Sequence, residues 1–156
     1  MNENMNDAEY SEVFQHEVGH FVDCQRGWES NSREFADAVA ADLQSMEKSS
    51  PEGRMRMNDM LDDAFSSGAA YDRNVSDCIS ALFRNDPEIV SRFRDEGAAY
   101  YCHDNDYWAR NNNRQSEIYA NSFGIQSAQH RISKNFVERY FPNTNETFLK
   151  ILSQKR

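Results

Sequence analysis

A helical repeat of apolar residues near the N-terminus places the strongest constraint on how this chain folds. Between Asp7 and Gln25 the apolar side chains recur every three or four positions, at Tyr10, Val13, Phe14, Val18, Phe21 and Val22. This spacing predicts an amphipathic α-helix. The same stretch contains His16-Glu17-Val18-Gly19-His20. Because residues four positions apart lie on one face of a helix, we expect the imidazoles of His16 and His20 to point in the same direction.

The remainder of the chain has the same helical periodicity and no strand signal. Further helices are predicted over residues 32–47, 55–65, 76–83, 87–96, 114–125, 132–140 and 146–152. Turn residues at 49–53 and 141–143 separate some of them, and the aromatic-rich segment 97–113 is predicted to be an irregular loop. No run of alternating β-branched residues indicates a strand. We therefore expect a mainly α, single helical domain over residues 1–156 with little or no β-sheet.

Composition narrows the classes of partner. The chain has 17 Lys and Arg against 26 Asp and Glu, a net charge of −9, which argues against binding to nucleic acid or to an anionic membrane surface. No apolar run approaches the roughly 20 residues that cross a bilayer. The acidic, polar start is unlike a secretory signal peptide, and three distant cysteines do not form a disulfide framework. These features predict a cytoplasmic, reducing location and leave the oligomeric state open.

The His-Glu-x-x-His pattern, placed on a helix, predicts a metal-binding function. Two imidazoles on one face can bind a single Zn²⁺ at tetrahedral angles. Glu17 lies one position further round the helix than His16, so it can reach a metal-bound water without ligating the ion. Zinc lowers the pKa of that water toward about 7, and Glu17 can then act as a general base. The pattern predicts His16 and His20 as zinc ligands and Glu17 as a catalytic residue.

Two histidines leave a zinc ion under-ligated, so a third ligand must come from elsewhere. The metzincin pattern is excluded, because it would require Gly at position 23 and His at position 26, where this chain has Asp23 and Arg26. Glu117 fits best, since it lies on a predicted helix with Asn121 one turn later on the same face. Asn121 is then expected to hydrogen-bond a ligating imidazole and orient it. Asp104, Asp106 and His103 are competing ligands.

Three further residues are candidates for supporting roles. Asp23 shares the face of His16 and His20, so it is predicted to orient a ligand, although a solvated carboxylate near the helix end is equally consistent with its position. Tyr107 and His103 precede Glu117 and are candidate donors to the oxyanion of a tetrahedral intermediate. The alternative for Tyr107 is that it anchors its loop in the core.

The combined motifs resemble a known group of enzymes. A His-Glu-x-x-His helix with a glutamate on a later helix is similar to the gluzincin zinc metallopeptidases. More narrowly, the chain resembles the metallopeptidase-like domains attached to phage minor head proteins, through residues 16–23, His103, Tyr107-Trp108, residues 117–121 and Phe141-Pro142-Asn143. The resemblance runs from about Glu9 to Leu152. It implies a zincin-like domain with ligands His16, His20 and Glu117, base Glu17, a peptide or protein substrate, and a cytoplasmic or virion-associated location.

Departures from the broader family leave other functions open. Glu117 follows His20 by 97 positions, which is far more than in thermolysin-like enzymes, and Asn121 stands where those enzymes carry Asp. The edge strand that usually aligns a peptide substrate comes before the active-site helix, whereas few residues precede it here. One alternative is a phage or mobile-element structural module in which zinc ties helices together. Another is a metalloprotease toxin or effector, and the chain is also consistent with the catalytic part of a longer protein.

Overall fold

The computed structural model describes residues 7–110, 112–128 and 130–154. Over these residues the chain forms nine α-helices and no strand: α1 (Asp7–Gln25), α2 (Arg33–Gln44), α3 (Pro51–Ser67), α4 (Arg73–Phe83), α5 (Pro87–Asp95), α6 (Asn105–Trp108), α7 (Asn113–Ser127), α8 (Arg131–Tyr140) and α9 (Pro142–Ser153). The predicted mainly α fold is confirmed, and α1 has the predicted bounds. Among the described helices, none combines the length and the apolar character needed to span a membrane.

Helices α3 and α9 begin earlier than predicted, because residues expected to form turns start these helices instead. The Ser50 hydroxyl accepts a hydrogen bond from the Gly53 N–H, and Pro51 occupies the first turn of α3. Pro142 likewise lies in the first turn of α9. Proline suits this position because its fixed φ is helical and its missing N–H would have no partner there. The segments 49–53 and 141–143 therefore combine a turn with the start of a helix.

The segment 97–113 is not wholly irregular. It contains the short helix α6, whose N-terminus is capped by Asp104, since its carboxylate accepts the Tyr107 N–H at 2.7 Å. Trp108 is buried and anchors the segment in the core. This short helix aims the Tyr107 side chain back toward α7, so the aromatic residues of the segment serve both the core and the neighbouring polar cluster.

Helix α7 lies at the centre of the arrangement. It packs against α1 on one side and α4 on the other, while α2 packs against α9. Every residue of α4 from Asn74 to Leu82 is buried, and Tyr119 of α7 packs edge-to-face on Phe35 and Phe148. Burying aromatic rings in this way removes much apolar area from water and compensates for a chain lean in aliphatic residues. The contact between α1 and α7 brings the two predicted ligand helices together.

The apolar residues that predict α1 do not mark its buried face. The side chains of Tyr10, Phe14 and Phe21 are 45%, 68% and 63% exposed. Gly19 and Asp23 are buried instead, on the side that faces the rest of the protein. The helical period was therefore sufficient to locate α1, but the helix is rotated so that its polar residues face α7.

Candidate metal centre

Helices α1 and α7 bring three potential metal ligands to one point. His20 Nε2 lies 3.1 Å from His16 Nε2, and Glu117 Oε2 lies 3.3 Å from His16 Nε2 and 3.6 Å from His20 Nε2. The two histidines occupy successive turns of α1, and Glu117 projects from α7 across the contact between the helices. Glu117 is 3% exposed. The three residues predicted as zinc ligands therefore form one cluster.

The spacing of these atoms fits a tetrahedral zinc ion. Zinc bonds of about 2.0–2.2 Å to nitrogen and oxygen, at tetrahedral angles, separate the ligand atoms by roughly 3.3 Å. The three observed separations, 3.1, 3.3 and 3.6 Å, bracket that value. Two imidazoles and one carboxylate are also a donor set that zinc accepts readily, whereas calcium and magnesium prefer oxygen ligands. The residues present thus fit Zn²⁺ with one position open.

The hydrogen bonds of His16 define which of its nitrogens faces the cluster. His16 Nδ1 lies 2.7 Å from Asn121 Oδ1. An amide oxygen accepts hydrogen bonds only, so Nδ1 carries the proton and the Nε2 of neutral His16 presents a lone pair. Glu117 Oε2 is buried and accepts no hydrogen bond from any residue that the structure describes. A lone pair and a carboxylate oxygen that face each other at 3.3 Å repel one another, and a cation between them would remove this repulsion.

Charge interactions within the cluster favour an ionised carboxylate. Burial opposes ionisation of Glu117, but the facing imidazoles of His16 and His20 and the Tyr107 hydroxyl outweigh it, so the pKa of Glu117 lies well below its ordinary value. Burial also opposes protonation of His16, yet the neighbouring Glu117 raises the pKa of His16. Ionised Glu117 and protonated His16 therefore stabilise each other.

Tyr107 and His103 lie on the opposite side of Glu117. The Tyr107 hydroxyl donates a short hydrogen bond to Glu117 Oε1, and burial, with this hydrogen bond, raises the pKa of Tyr107. The His103 ring stacks on the Tyr107 ring with centroids 3.8 Å apart, and its Nε2 lies 3.7 Å from the same oxygen. Tyr107 therefore orients the carboxylate of the candidate ligand, while the His103 side chain remains 42% exposed at the edge of the cluster.

Glu17 borders an open cavity beside the three candidate ligands. The cavity has a volume of about 250 Å³ and is lined by His16, Glu17, His20 and Glu117, with His103 at one margin. Glu17 is exposed, in contrast to the buried Glu117. A solvent-accessible carboxylate next to an incomplete ligand set is the arrangement that a water-activating base requires.

Other predicted residues lie outside this cluster. Asp23 is fully buried and accepts hydrogen bonds from the Ser30 N–H at 2.9 Å and the Ser30 hydroxyl at 2.5 Å. It therefore orders the turn after α1 and does not orient His16 or His20, which hydrogen-bond to α7 instead. The two roles expected for Asp23, a solvated carboxylate and a residue that orients a metal ligand, are therefore both wrong. Asp104 caps α6 and Asp106 is exposed, so Glu117 is the carboxylate that joins the histidines.

Two residues that contact the cluster, Ser116 and Asp77, belong to no recognisable sequence motif. Ser116 Oγ lies 3.3 Å from His20 Nδ1 and orients the second imidazole. Asp77 of α4 accepts a hydrogen bond from Asn121 Nδ2 at 2.8 Å and also lines the cavity. Ser116 directly precedes Glu117, so its position on α7 gave some indication of its role. Asp77 is a single acid in a helix that packs on α7 only in the folded state, so no local sequence pattern indicates its role.

A second group of ionisable residues lies further along α1. Glu12, Asp72 and His130 bring ligand atoms within 4.8 Å of one another. Both carboxylates accept backbone N–H groups at the start of α4: Asp72 from Asn74 at 2.9 Å, and Glu12 from Arg73 at 3.4 Å. Capping of the helix N-terminus accounts for these two acids without an ion.

Gly19 permits the close approach of α1 and α7. A Cβ at position 19 would lie 2.7 Å from both the Cα and the carbonyl oxygen of Ala120. We expect Gly19→Ala to push the helices apart and lower the free energy of unfolding by about 1–3 kcal/mol, despite the higher helix propensity of Ala. Zinc affinity should fall as well, because the ligands lie on the two separated helices. Thermal unfolding and zinc titration measure the two effects.

Gly53 offers a matched control for this substitution. Gly53 lies on α3, away from the candidate ligands, and a Cβ on it would lie 2.2 Å from the Glu47 carbonyl oxygen. Gly53→Ala is therefore expected to destabilise the protein but to leave the zinc affinity of the folded protein unchanged. Equal zinc affinity in the Gly19→Ala variant and the wild type would contradict the role of Gly19.

Comparisons with protein-family models, with characterised proteins and with solved structures gave no match to this chain.

Proposed function

We propose that this protein is a zinc-dependent peptidase. His16, His20 and Glu117 would hold the ion, and Glu17 would act as the general base. The observation that carries the proposal is the open side of the ligand cluster, where exposed Glu17 borders a cavity of about 250 Å³. Structural zinc sites are usually closed by four protein ligands, whereas catalytic sites retain an open position.

The residues around the cavity have complementary chemical roles in peptide hydrolysis. Zinc, when bound, supplies a Lewis acid that lowers the pKa of a water molecule and polarises the substrate carbonyl. Glu17 accepts a proton from the attacking water and passes it to the departing amine. His103, with an exposed imidazole at the margin of the cavity, is the better candidate for contacting the carbonyl oxygen. Tyr107 is less suited to that role, since its hydroxyl hydrogen is already donated to Glu117.

Zinc analysis of a ligand variant is the direct test. After dialysis, the wild-type protein should retain about one zinc ion per chain, and His20→Ala should retain almost none. His130→Ala is the matched control, because it removes an exposed histidine outside the ligand cluster. A wild-type protein without zinc would refute the proposal, as would a loss of zinc in the His130→Ala variant equal to that in His20→Ala.

A structural zinc site is the second candidate, and two observations favour it. The candidate ligands join α1 to α7, so an ion there would link the first helix to the centre of the fold. Within the described ranges there is also no strand whose edge could align a peptide. Under this alternative, zinc would be retained and would stabilise the protein, but a peptide library would not be cleaved.

A further inference from the structure

Asp77 lies behind the candidate ligand His16, separated from it by Asn121. The carboxylate of Asp77 is on α4, and the residue is 7% exposed. Its Oδ2 accepts a hydrogen bond from Asn121 Nδ2 at 2.8 Å, and its Oδ1 accepts one from the Ser80 hydroxyl at 3.1 Å. Asn121 is 1% exposed and places its Oδ1 2.7 Å from His16 Nδ1. Asp77, Asn121 and His16 form a continuous hydrogen-bonded row in which Asp77 and Asn121 are buried and His16 is partly buried.

The row has only one consistent direction when Asp77 is ionised. A carboxylate accepts hydrogen bonds and donates none, so the amide nitrogen of Asn121 must face Asp77. The amide oxygen then faces His16, and His16 Nδ1 must carry the proton. The remaining nitrogen, Nε2, is left with its lone pair toward His20 and Glu117, which is the form of imidazole that a metal ion binds.

Without the carboxylate, the amide of Asn121 has no fixed orientation. A flipped amide would donate a hydrogen bond to His16 Nδ1 and shift the imidazole proton to Nε2. That proton would occupy the position of the ion, so metal binding would require a rearrangement in a buried site. The identity of residue 121 follows the same logic, because an aspartate there would put two buried carboxylates at hydrogen-bond distance.

We propose that Asp77 is a positioning residue that fixes the metal-binding tautomer of His16 through Asn121. This inference deepens the proposed zinc function and rests on it. Asp77, on α4, supplies the negative charge that acts on the His16 imidazole. It does so through Asn121, whereas a carboxylate at position 121 would contact the imidazole directly. The arrangement makes the ligand geometry depend on the packing of α4 against α7, as well as on α1.

Zinc affinity of paired variants tests the proposal. Asp77→Asn can present either its oxygen or its nitrogen to Asn121, so the direction of the row is lost, and we expect a decrease in zinc affinity of about 10–100-fold. The double variant Asp77→Asn with Asn121→Asp restores a carboxylate in direct contact with His16 Nδ1. It is expected to return the affinity to near the wild-type value. Competition with a chromophoric chelator measures both.

Asp42→Asn is the matched control. Asp42 is fully buried and accepts hydrogen bonds from Asn143 and Thr144, away from the ligand cluster. Its substitution should lower stability without changing the zinc affinity of the folded protein. If Asp77→Asn binds zinc as tightly as the wild type, or if the double variant binds more weakly than Asp77→Asn, the proposal is overturned.

A second measurement does not depend on variants or on bound metal. Nitrogen NMR of the metal-free wild-type protein, at a pH above the range where His16 is doubly protonated, reports which ring nitrogen carries the proton. The proposal requires protonated Nδ1, and a proton on Nε2 would contradict it. A wild-type protein that binds no zinc would refute the proposed function, yet the tautomer of His16 would still test the role of Asp77.

Discussion

The Glu17→Gln variant is expected to retain zinc and to hydrolyse peptides about 10²–10⁴-fold more slowly than the wild type. Glutamine has almost the same shape as glutamate, but it cannot accept the proton of the attacking water. Glu17 is exposed and is not one of the three converging ligands, so its replacement should alter neither the fold nor the ion. Cleavage of a quenched-fluorescent peptide library, together with zinc content, measures both parts of the prediction.

The control for this experiment is a glutamate of similar exposure on a distant helix. Glu138 of α8 is exposed and lies outside the cavity, and Glu138→Gln should cleave the library at the wild-type rate. Unchanged cleavage by Glu17→Gln would rule out Glu17 as the base. Loss of zinc from Glu17→Gln would show instead that Glu17 is a ligand. We do not expect this result, because Glu17 does not converge with His16, His20 and Glu117.

Local patterns in the sequence were enough to predict eight of the nine described helices, all except the short α6, and the three candidate metal ligands. The period of apolar residues gave the bounds of α1, because helical periodicity is a property of neighbouring residues. The same holds for two pairs of site residues, each four positions apart in the sequence: His16 with His20, and Glu117 with Asn121. Each pair spans one helical turn, so each could be recognised without knowing how the helices pack.

Tertiary arrangement could not be predicted in the same way. The exposed Phe14 and Phe21 contributed to the helical pattern of α1, but the helix turns its glycine and its polar residues toward α7. Asp77 reaches the candidate site only because α4 packs on α7. Asp23 shares a helical face with the histidines, yet the backbone turn at Ser30 takes up both of its carboxylate oxygens.

Removal of zinc is expected to lower the stability of the protein substantially. A ligand that binds only the folded state adds about 4 kcal/mol when its free concentration is 1,000 times its Kd. For a chain of this size that corresponds to a decrease in Tm of roughly 8–16 °C on chelation. The physical reason is that the ion would hold α1 to α7 through the buried Glu117, whose Oε2 otherwise accepts no hydrogen bond from the described residues. Thermal unfolding with and without a chelator measures the change.

A ligand variant and a base variant separate the stabilising role of the ion from its catalytic role. Glu117→Gln should unfold at the same temperature with and without chelator, because it has lost the third ligand. Glu17→Gln should respond to chelator as the wild type does, because its ligand set is intact. An equal Tm for the wild-type protein with and without chelator would contradict zinc binding by the folded state. A large decrease on chelation, combined with no cleavage by the wild type, would favour the structural alternative, since the ion would then stabilise the fold without activating water.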